Sequence, residues 1–430
     1  MADQENLLQS YDRDHDFVGS ATVSYRNSSY YTQRPQFKKN LLLTIISVLI
    51  ATCLTIYVYL NYIAINGNRY TKTDDAHYNP HKPLSRRKPI LDHESIFSES
   101  GPSLLKISDL LAHCIVALQV GGERVVELSL KNKRQLKEVA SKGKTKEGLD
   151  DIVTGADMRS HEAILNTIKD TYRWLRIVSE EDTTSAFENL KLEDDILPIS
   201  RSRFARMLSE NLQEIEKESY NWPLVSQQET LVWVDPLDAT KEYSENLTEY
   251  VTLMACIVHQ SVPIAGIIHK PFSNKTYWSL KDKTRRNIAR SSDLASIWSI
   301  DEPRSGSDNL RITVSRSHAG DVEKFIRSVY GERVSIIPSG GSGYKTIELI
   351  KGNVNAYIHV THIKKWDICA PHAILSSLPY GNMTDLHGDQ ITFGDLKDKV
   401  VKKGLIATLD ETRHKELVGS FRNYVDSNHH

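Results

Sequence analysis

Apolar residues recur at helix or strand spacing from residue 103 to the end of the chain. Residues 103–121, "SLLKISDLLAHCIVALQVG", have the helical period, and the following Gly121-Gly122 pair predicts a glycine stop. "DDIVTGAD" predicts a short strand or turn, followed by a helix from about Met158. Residues 174–182 predict a strand that runs into acidic residues. This alternation predicts an α+β domain.

The second half of the chain continues the alternation without strict βαβ regularity and without an internal repeat. Residues 183–229 are polar and charge-mixed, with three arginines ahead of a helical stretch, and predict an insertion on the surface. The remaining predicted elements are strands at 231–234, 251–259, 263–269, 310–314 and 354–360, helices at 318–331 and 366–378, and a strand, glycine loop and helix between 334 and 352.

Residues 41–64 carry no charge and are long enough to cross a bilayer core of about 30 Å. Tyrosines cluster at the C-terminal end of this stretch, as in an interfacial aromatic belt. A cleaved signal peptide is the alternative, but forty polar residues come first and the apolar run is longer than a usual signal sequence. The pattern favours a transmembrane anchor.

The orientation of the anchor follows from its flanking basic residues. Four basic residues closely precede it: Arg26, Arg34, Lys38 and Lys39. Fewer basic residues follow it, and acidic residues stand beside them. The bias predicts a cytosolic tail at 1–40, the anchor at 41–64, a proline-containing lumenal stalk at 65–102 and a lumenal domain at 103–430, with subdomains of about 103–300 and 301–430. Three glycosylation sequons begin on the lumenal side, at Asn246, Asn274 and Asn382.

Composition excludes some functions and says little about others. The net charge is −1 with 25% charged residues, so the overall charge gives no electrostatic attraction for nucleic acid, and DNA or RNA binding is not favoured. Outside the apolar stretch, Cys114, Cys256 and Cys369 stand in apolar surroundings without a CxxC. They are interpreted as buried small hydrophobes, with no disulfide framework.

Acidic residues stand where predicted strands or turns meet helices or loops. Oxygen ligands without a His or Cys cluster favour Mg²⁺ over Zn²⁺, and two or three such ions held by shared carboxylates make a phosphoryl-transfer site. Each acidic motif alone has a plain structural explanation, such as a solvated turn, a helix N-cap or a charged face. The acidic candidates are Asp157, Glu180, Asp235, Asp238 and Asp367.

"DPLDAT" adds further candidate groups to this site. Pro236 predicts a turn that brings the two aspartates to one side, with the Leu237 carbonyl exposed as a ligand. The N–H groups of Ala239, Thr240 and Lys241 could hold a phosphate. The Thr240 hydroxyl is placed to touch a water.

"DIVTGAD", "SEED", "WVDPLDAT", "GGSGYK" and "WDICAPHAIL" together resemble the signature motifs of the lithium-sensitive inositol monophosphatase superfamily. The resemblance implies a layered αβαβα sandwich, two or three Mg²⁺, inhibition by Li⁺ in place of a Mg²⁺, and a possible homodimer. It implies that Asp157 and Thr240 orient and deprotonate the attacking water. The implied Mg²⁺ ligands are Glu180, Asp235, the Leu237 carbonyl, Asp238 and Asp367. Ala239 departs from the glycine that is frequent in the family, although its N–H is retained.

Three stretches resemble the bisphosphate nucleotidases within that superfamily: "SRSH", "GGSGYK" and "IKKWD". With the anchor, they imply a lumenal Golgi enzyme that converts 3'-phosphoadenosine 5'-phosphate, the by-product of sulfotransferases, to AMP and phosphate. A histidine at the start of a surface helix is the plain alternative for His318. The implied substrate contacts are Ala239, Thr240, Ser315, His318, Gly341, Lys345 and Asp367.

Three alternatives to this function stay open. The first is an inositol phosphate phosphatase of the same fold, which only substrate choice separates from a nucleotidase. The second is a lumenal glycosyltransferase, whose DxD motif and motif order do not fit this chain. The third is a membrane-anchored scaffold with a decayed site, although loss of one acid would leave the others in costly repulsion.

Overall fold

Two mixed sheets form the framework of the protein. The computed structural model describes residues 104–131, 139–144, 150–183, 199–217, 220–222, 224–282, 284, 286–298, 310–316 and 320–428. Within these ranges the helices are α1 Ile107–Lys131, α2 Gly155–Lys169, α3 Arg201–Ile215, α4 Thr240–Ser244, α5 Ser292–Ile297, α6 Gly320–Tyr330, α7 Ser342–Ile350, α8 Lys365–Leu375 and α9 Glu411–Asn428.

The strands divide between the two sheets and three short pairs. The strands are β1 Leu104–Lys106, β2 Val139–Lys144, β3 Asp150–Thr154, β4 Arg176–Ser179, β5 Leu224–Ser226, β6 Thr230–Asp238, β7 Thr252–His259, β8 Val262–Lys270, β9 Lys275–Lys281, β10 Ile288–Arg290, β11 Leu310–Ser315, β12 Val334–Ser339, β13 Ala356–His359, β14 Ile363–Lys364, β15 Asn382–Thr384, β16 Val400–Val401 and β17 Leu405–Thr408.

The first sheet has six strands in the order β10-β9-β8-β7-β6-β4, antiparallel except for the parallel pair β4 and β6. The second has five strands in the order β12-β11-β13-β17-β15, with β11 parallel to both β12 and β13. Because β4 and β6 are parallel, their carboxyl ends meet at one edge of the six-stranded sheet.

Alternate residues of the strands enter different cores, as the period of two requires. Val232 and Val234 of β6 pack with α1 and α2, whereas Leu231 and Trp233 face α7 and α8. A third core joins the other face of the five-stranded sheet to α6 and α9. The layers therefore run helix, sheet, helix, sheet, helix, which is the predicted αβαβα order.

Helix α1 does not stop at its two glycines. It continues ten residues beyond Gly121 to Lys131, so the predicted glycine stop is wrong. A side-chain carbon at Gly121 would lie 2.7 Å from Cγ1 of Ile164, and one at Gly122 would lie 2.8 Å from the ring of His269. These glycines serve close approach of α1 to α2 and to β8, and the surrounding contacts keep the helix intact.

The stretch predicted as a surface insertion is partly structural. Helix α3 packs on α1, and Ile215 at its end is fully buried in the first core together with Trp222 and Val225. The other side chains of α3 are exposed or half-buried, as expected for a segment on the surface. The end of α3, Trp222 and Val225 belong to the core instead, which corrects the prediction for these residues.

Two of the cysteines are bonded to each other. Cys256 on β7 and Cys369 on α8 form a disulfide between their helix and sheet, with the Cα atoms 5.6 Å apart. This corrects the interpretation of both residues as free, although their burial is as predicted. Cys114 is a buried free thiol, as predicted.

The tail, the apolar stretch and the stalk lie outside the described residues. Among the helices that the structure does describe, none has the length and apolar character needed to cross a bilayer. The described residues belong to one compact unit, Ile96–His430. The boundaries at 40, 64 and 102, and the subdomain division near 300, stay predictions.

Candidate active site

The "DPLDAT" segment ends strand β6 with a bulge. Asp235 pairs with Met254 and Asp238 with Thr252, and the register shifts between these two pairs. The hydroxyl of Ser160 on α2 donates a hydrogen bond of 2.7 Å to the Pro236 carbonyl inside the bulge. The extra residue turns the chain so that the end of β6 can present both aspartates, a use of bulges that is common beside active sites.

Three carboxylates converge at this sheet edge. Glu180 follows β4, Asp235 lies near the end of β6, and Asp367 lies in the first turn of α8. One oxygen from each lies within 4.8 Å of the others. The carboxyl ends of the parallel strands β4 and β6 supply two of the groups, and the start of a buried helix supplies the third.

The carboxylates at this edge repel one another. Burial raises the pKa of Asp235 well above its ordinary value, and the neighbouring acids, Glu180 first, raise it further. The pKa of Asp367 is raised by burial and by the charge of Glu180 in the same way. A divalent cation would remove this repulsion, and an all-oxygen donor set suits Mg²⁺, so the residues present fit such an ion.

Asp238 lies beside this cluster in a tighter hydrogen-bonded setting. Its Oδ2 accepts from the Gly343 N–H at 2.8 Å and from the Thr252 hydroxyl at 3.0 Å. Burial raises the pKa of Asp238, whereas the Lys345 ammonium lowers it. Lys345 is only 3% exposed, and burial lowers its own pKa to about 8. The buried ammonium of Lys345 therefore lies near enough to Asp238 to offset part of the acidic charge.

Asp157 and Thr240 are joined directly. The Thr240 hydroxyl donates to Oδ1 of Asp157 at 2.9 Å and also lies 3.1 Å from the Leu237 carbonyl. The other oxygen of Asp157 accepts from the backbone N–H and the hydroxyl of Thr154, the N-cap residue of α2. A capping box thus fixes the rotamer of Asp157 and leaves its second oxygen turned toward Thr240.

Ala239 has a left-handed backbone, with φ of 71° and ψ of 43°. It precedes the five-residue helix α4, which begins with Thr240. Left-handed geometry is costly for any residue with a Cβ atom, which accounts for the glycine expected at this position. Ala239 adopts the left-handed turn nevertheless, and the turn brings Thr240 to Asp157.

The glycine loop between β12 and α7 lies against the same site. Gly341 has φ of 62°, and a side-chain carbon there would lie 2.8 Å from Oδ2 of Asp238. Ser315 ends β11 opposite Ser339 of β12, which precedes the loop. His318 lies outside the described residues, so its predicted contact with substrate stays a prediction.

Two supporting groups were missed in the sequence. Thr154 holds Asp157, and Thr252 holds Asp238. The first carried a detectable signal, because Thr154 and Asp157 have the spacing of a capping box. Thr252 carried none, since only the antiparallel pairing of β6 with β7 brings it to Asp238.

Comparison of the sequence with known proteins assigns the chain to a family. The sequence model of the inositol monophosphatase family matches residues 111–426. The chain belongs to the inositol monophosphatase family. The match covers the three carboxylates, the Asp157–Thr240 pair and the glycine loop.

Curated relatives carry two kinds of name. "Inositol monophosphatase 3" of Danio rerio is 37% identical over 320 residues, which cover 73% of this chain and 83% of the relative. "Golgi-resident adenosine 3',5'-bisphosphate 3'-phosphatase" of Mus musculus is 34% identical over 353 residues, which cover 80% and 88%. Family and relatives together identify the chain as a phosphoric monoester hydrolase.

Solved structures support the same fold. An IMPase of Thermotoga maritima superposes with a TM-score of 0.50 at 18% identity, covering 74% of this chain and 99% of that one. At this identity the likeness concerns the fold alone. The sequence-based expectation of the inositol monophosphatase fold is confirmed.

Proposed function

We propose that this protein removes the 3'-phosphate of 3'-phosphoadenosine 5'-phosphate, giving AMP and phosphate. The observation that carries the hydrolysis is the hydrogen bond between Thr240 and Asp157 beside the carboxylates of Glu180, Asp235 and Asp367. A hydroxyl whose proton is already directed at a carboxylate can accept a hydrogen bond from a water and align it for attack.

The acids at the sheet edge would hold the metal. Glu180, Asp235 and Asp367 would share the ions, with Asp238 and the Leu237 carbonyl completing the set. When bound, Mg²⁺ would supply the positive charge that stabilises the attacking and leaving oxygens of the phosphoryl group. Li⁺ would inhibit by taking the place of one Mg²⁺.

The chain's own residues would manage the proton. Thr154 holds one oxygen of Asp157 by two hydrogen bonds, so the other oxygen keeps its orientation toward Thr240. As water attacks the phosphorus and the bond to the ribose 3'-oxygen breaks, the Thr240 hydroxyl would take the water's proton and pass its own to Asp157. The departing oxygen would take a proton from solvent to become the 3'-hydroxyl of AMP. No covalent bond between enzyme and phosphate is required.

The nucleotide specificity rests on relatives and on loop chemistry. Relatives named as adenosine 3',5'-bisphosphate 3'-phosphatases are 34–36% identical over 73–80% of this chain. The glycine loop packs its backbone at Gly341 directly against Asp238. Ser315 and Gly341, with His318 and Lys345, would contact the nucleotide.

The proposed location is the Golgi lumen, behind a single-pass anchor at 41–64 with the N-terminus in the cytosol. Names of relatives include the words Golgi-resident. The disulfide between Cys256 and Cys369 suits an oxidising compartment. An enzyme there would clear the nucleotide that lumenal sulfotransferases release. Exposed Asn246 and Asn274 would be open to glycosylation.

Product analysis tests the proposal. Purified full-length protein with Mg²⁺ is incubated with 3'-phosphoadenosine 5'-phosphate, and the products are separated by chromatography. Accumulation of AMP supports the proposal, whereas adenosine 3'-phosphate would show attack at the wrong ester. Hydrolysis should be lost in Asp238→Asn, because the acids act as a unit. If Asp238→Asn keeps full activity, the assignment of the metal-binding acids is wrong.

An inositol phosphate phosphatase is the second candidate. It is favoured by relatives of 33–37% identity named "Inositol monophosphatase 3" or "Putative inositol monophosphatase 3". The same carboxylates and the same Asp157–Thr240 pair would serve both substrates. Direct comparison of the two phosphate esters separates the candidates.

A further inference from the structure

Arg316 directly follows Ser315, the last residue of β11. The N–H groups at the edge of its guanidinium are hydrogen-bonded to two glutamates. Nη1 donates to Glu242 at 3.1 Å and to Glu245 at 3.2 Å, and Nη2 donates to Glu245 at 3.2 Å. Glu242 is buried and Glu245 is partly exposed. A phosphate would have to displace these carboxylates to use the same N–H groups, so the edge of Arg316 is poorly suited to bind one.

The guanidinium also lies over an aromatic ring. The central carbon of the guanidinium lies 5.8 Å from the ring centroid of Tyr250, within cation–π range. Tyr250 in turn packs edge-on against Tyr344, with ring centroids 4.7 Å apart. The Arg316 side chain nevertheless stays 32% exposed. With the N–H edge on carboxylates and the Tyr250 ring close by, the exposed third of the side chain is the part left for a ligand.

This arginine lies among the loops of the active site. Its backbone N–H donates to the Ser339 carbonyl at 3.3 Å, immediately before the glycine loop. Its partner Glu242 belongs to α4, the helix that begins with Thr240, and presses against Gly340. The Tyr250 carbonyl lies 3.1 Å from the position of a side-chain carbon on Gly341. Arg316 is therefore fixed to two loops that also border Asp238.

We propose that the exposed face of Arg316 stacks on the purine base of the nucleotide and makes this residue a determinant of substrate specificity. The inference rests on the proposed nucleotidase function and deepens it. A guanidinium plane stacks well on flat π-systems, and bases gain binding energy from such contacts. A sugar or inositol phosphate has no such plane and would gain nothing from Arg316.

The carboxylates give the arrangement its selectivity. Glu242 and Glu245 fix the plane of the guanidinium before substrate arrives, so little rotamer entropy is lost on binding. They also balance its charge, which weakens any competing attraction for the phosphates. Lysine at position 316 could keep an ion pair with Glu242 but has no plane to offer a base.

The test compares Arg316→Lys with wild type on two substrates. KM and kcat are measured for 3'-phosphoadenosine 5'-phosphate and for inositol 1-phosphate, using full-length protein with Mg²⁺. Stacking predicts that KM for the nucleotide rises about fivefold or more, from the lower end of the stacking energies of single bases. Kinetic constants for inositol 1-phosphate should change less than about twofold. Arg327→Lys is the matched control, because Arg327 pairs with Glu323 on the exposed side of α6.

A second variant and a binding measurement guard against misfolding. Glu245→Gln keeps the shape of the side chain but removes the charge that holds the guanidinium of Arg316. A rise in the nucleotide KM is expected that is smaller than the rise in Arg316→Lys. AMP binding is measured by calorimetry on wild type and Arg316→Lys, and weaker binding by the variant is expected. Equal losses on both substrates, or an unchanged nucleotide KM in Arg316→Lys, would overturn the inference.

Failure of the proposed function is recognised separately. Wild type that hydrolyses inositol 1-phosphate but not the nucleotide refutes the nucleotidase function without any variant. In that case the measurement of AMP binding tests whether Arg316 stacks on the base. Wild type that fails to bind AMP overturns it, whereas AMP binding that is weakened in Arg316→Lys upholds it as a base contact.

Discussion

The hydroxyl of Thr240 donates a hydrogen bond of 2.9 Å to the carboxylate of Asp157, 83 residues away along the chain. The bulge at the end of β6 delivers the threonine, and the N-terminal capping box of α2 delivers the aspartate. The two groups that would manage the proton are therefore assembled before substrate binds. Such preorganisation is the feature that an acid–base pair needs most.

Thr240→Ala should lower kcat by about 10²- to 10⁴-fold, the usual contribution of a positioned proton-transfer group. Thr240→Ser keeps the hydroxyl and should retain most of the activity. Ser244→Ala is the matched control, because Ser244 donates only to the Lys241 carbonyl within the same short helix. Steady-state kinetics and thermal unfolding are recorded on all three. Full activity in Thr240→Ala would remove Thr240 from the mechanism.

The acids were predictable from the sequence because each stands in a local motif. Asp235 and Asp238 close a buried strand, and the structure does bring Asp235 together with Glu180 and Asp367. Their roles as metal ligands stay predictions. The continuous apolar run of β6 was strong enough to fix its position, although the strand extends four residues beyond the predicted end, through the bulge.

Features that depend on contacts between distant parts of the chain could not be predicted from the sequence. Nothing local relates Cys256 to Cys369, since 113 residues separate them and no paired spacing exists. Gly121 and Gly122 resemble a helix stop, and only the neighbouring α2 and His269 explain their presence inside α1. Local rules fail at such points because tertiary packing overrides them.

Ala239→Gly should stabilise the protein. The left-handed backbone costs an alanine about 1–2 kcal/mol, and the added freedom of glycine in the unfolded chain offsets part of the gain. The free energy of unfolding should therefore rise by up to about 1 kcal/mol, with activity preserved. Ala295→Gly in the exposed helix α5 is the opposite control and should destabilise by about 0.5–1 kcal/mol. Destabilisation in Ala239→Gly, measured by chemical denaturation, would show that the Cβ atom contributes packing.

Removal of the disulfide by the double substitution Cys256→Ala and Cys369→Ala should lower the free energy of unfolding by about 2–5 kcal/mol. Wild type should also unfold at a lower temperature in the presence of dithiothreitol, whereas the double variant should be insensitive to it. Cys114→Ala serves as the control, since Cys114 is a free thiol. A wild-type unfolding temperature that dithiothreitol leaves unchanged would count against the bond.

Acid should destabilise the protein through His269. Burial lowers the pKa of His269 to about 4, against about 6.5 in the unfolded chain. Between these values the unfolded chain binds a proton that the folded protein does not, so stability falls as pH falls from about 6.5 to about 4. The full effect is on the order of 3 kcal/mol.

His269→Asn isolates this contribution. In wild type, Nδ1 of His269 lies 3.0 Å from the Thr276 hydroxyl. Asparagine can keep a hydrogen bond to this hydroxyl, but its side chain does not titrate. The variant should lose less stability than wild type over the same pH interval, whatever its stability at pH 7. Chemical denaturation at pH 7, 5.5 and 4.5 measures the two slopes, and identical slopes would exclude His269 as the source.

Phosphate release by the full-length protein tests the central claim most directly. With Mg²⁺ present, kcat/KM is compared for 3'-phosphoadenosine 5'-phosphate and inositol 1-phosphate, with and without Li⁺. The proposed function predicts a higher kcat/KM for the nucleotide, AMP as its product, and inhibition by Li⁺. A higher kcat/KM for inositol 1-phosphate would contradict the nucleotide specificity, and release from neither substrate would contradict catalysis by the Asp157–Thr240 pair.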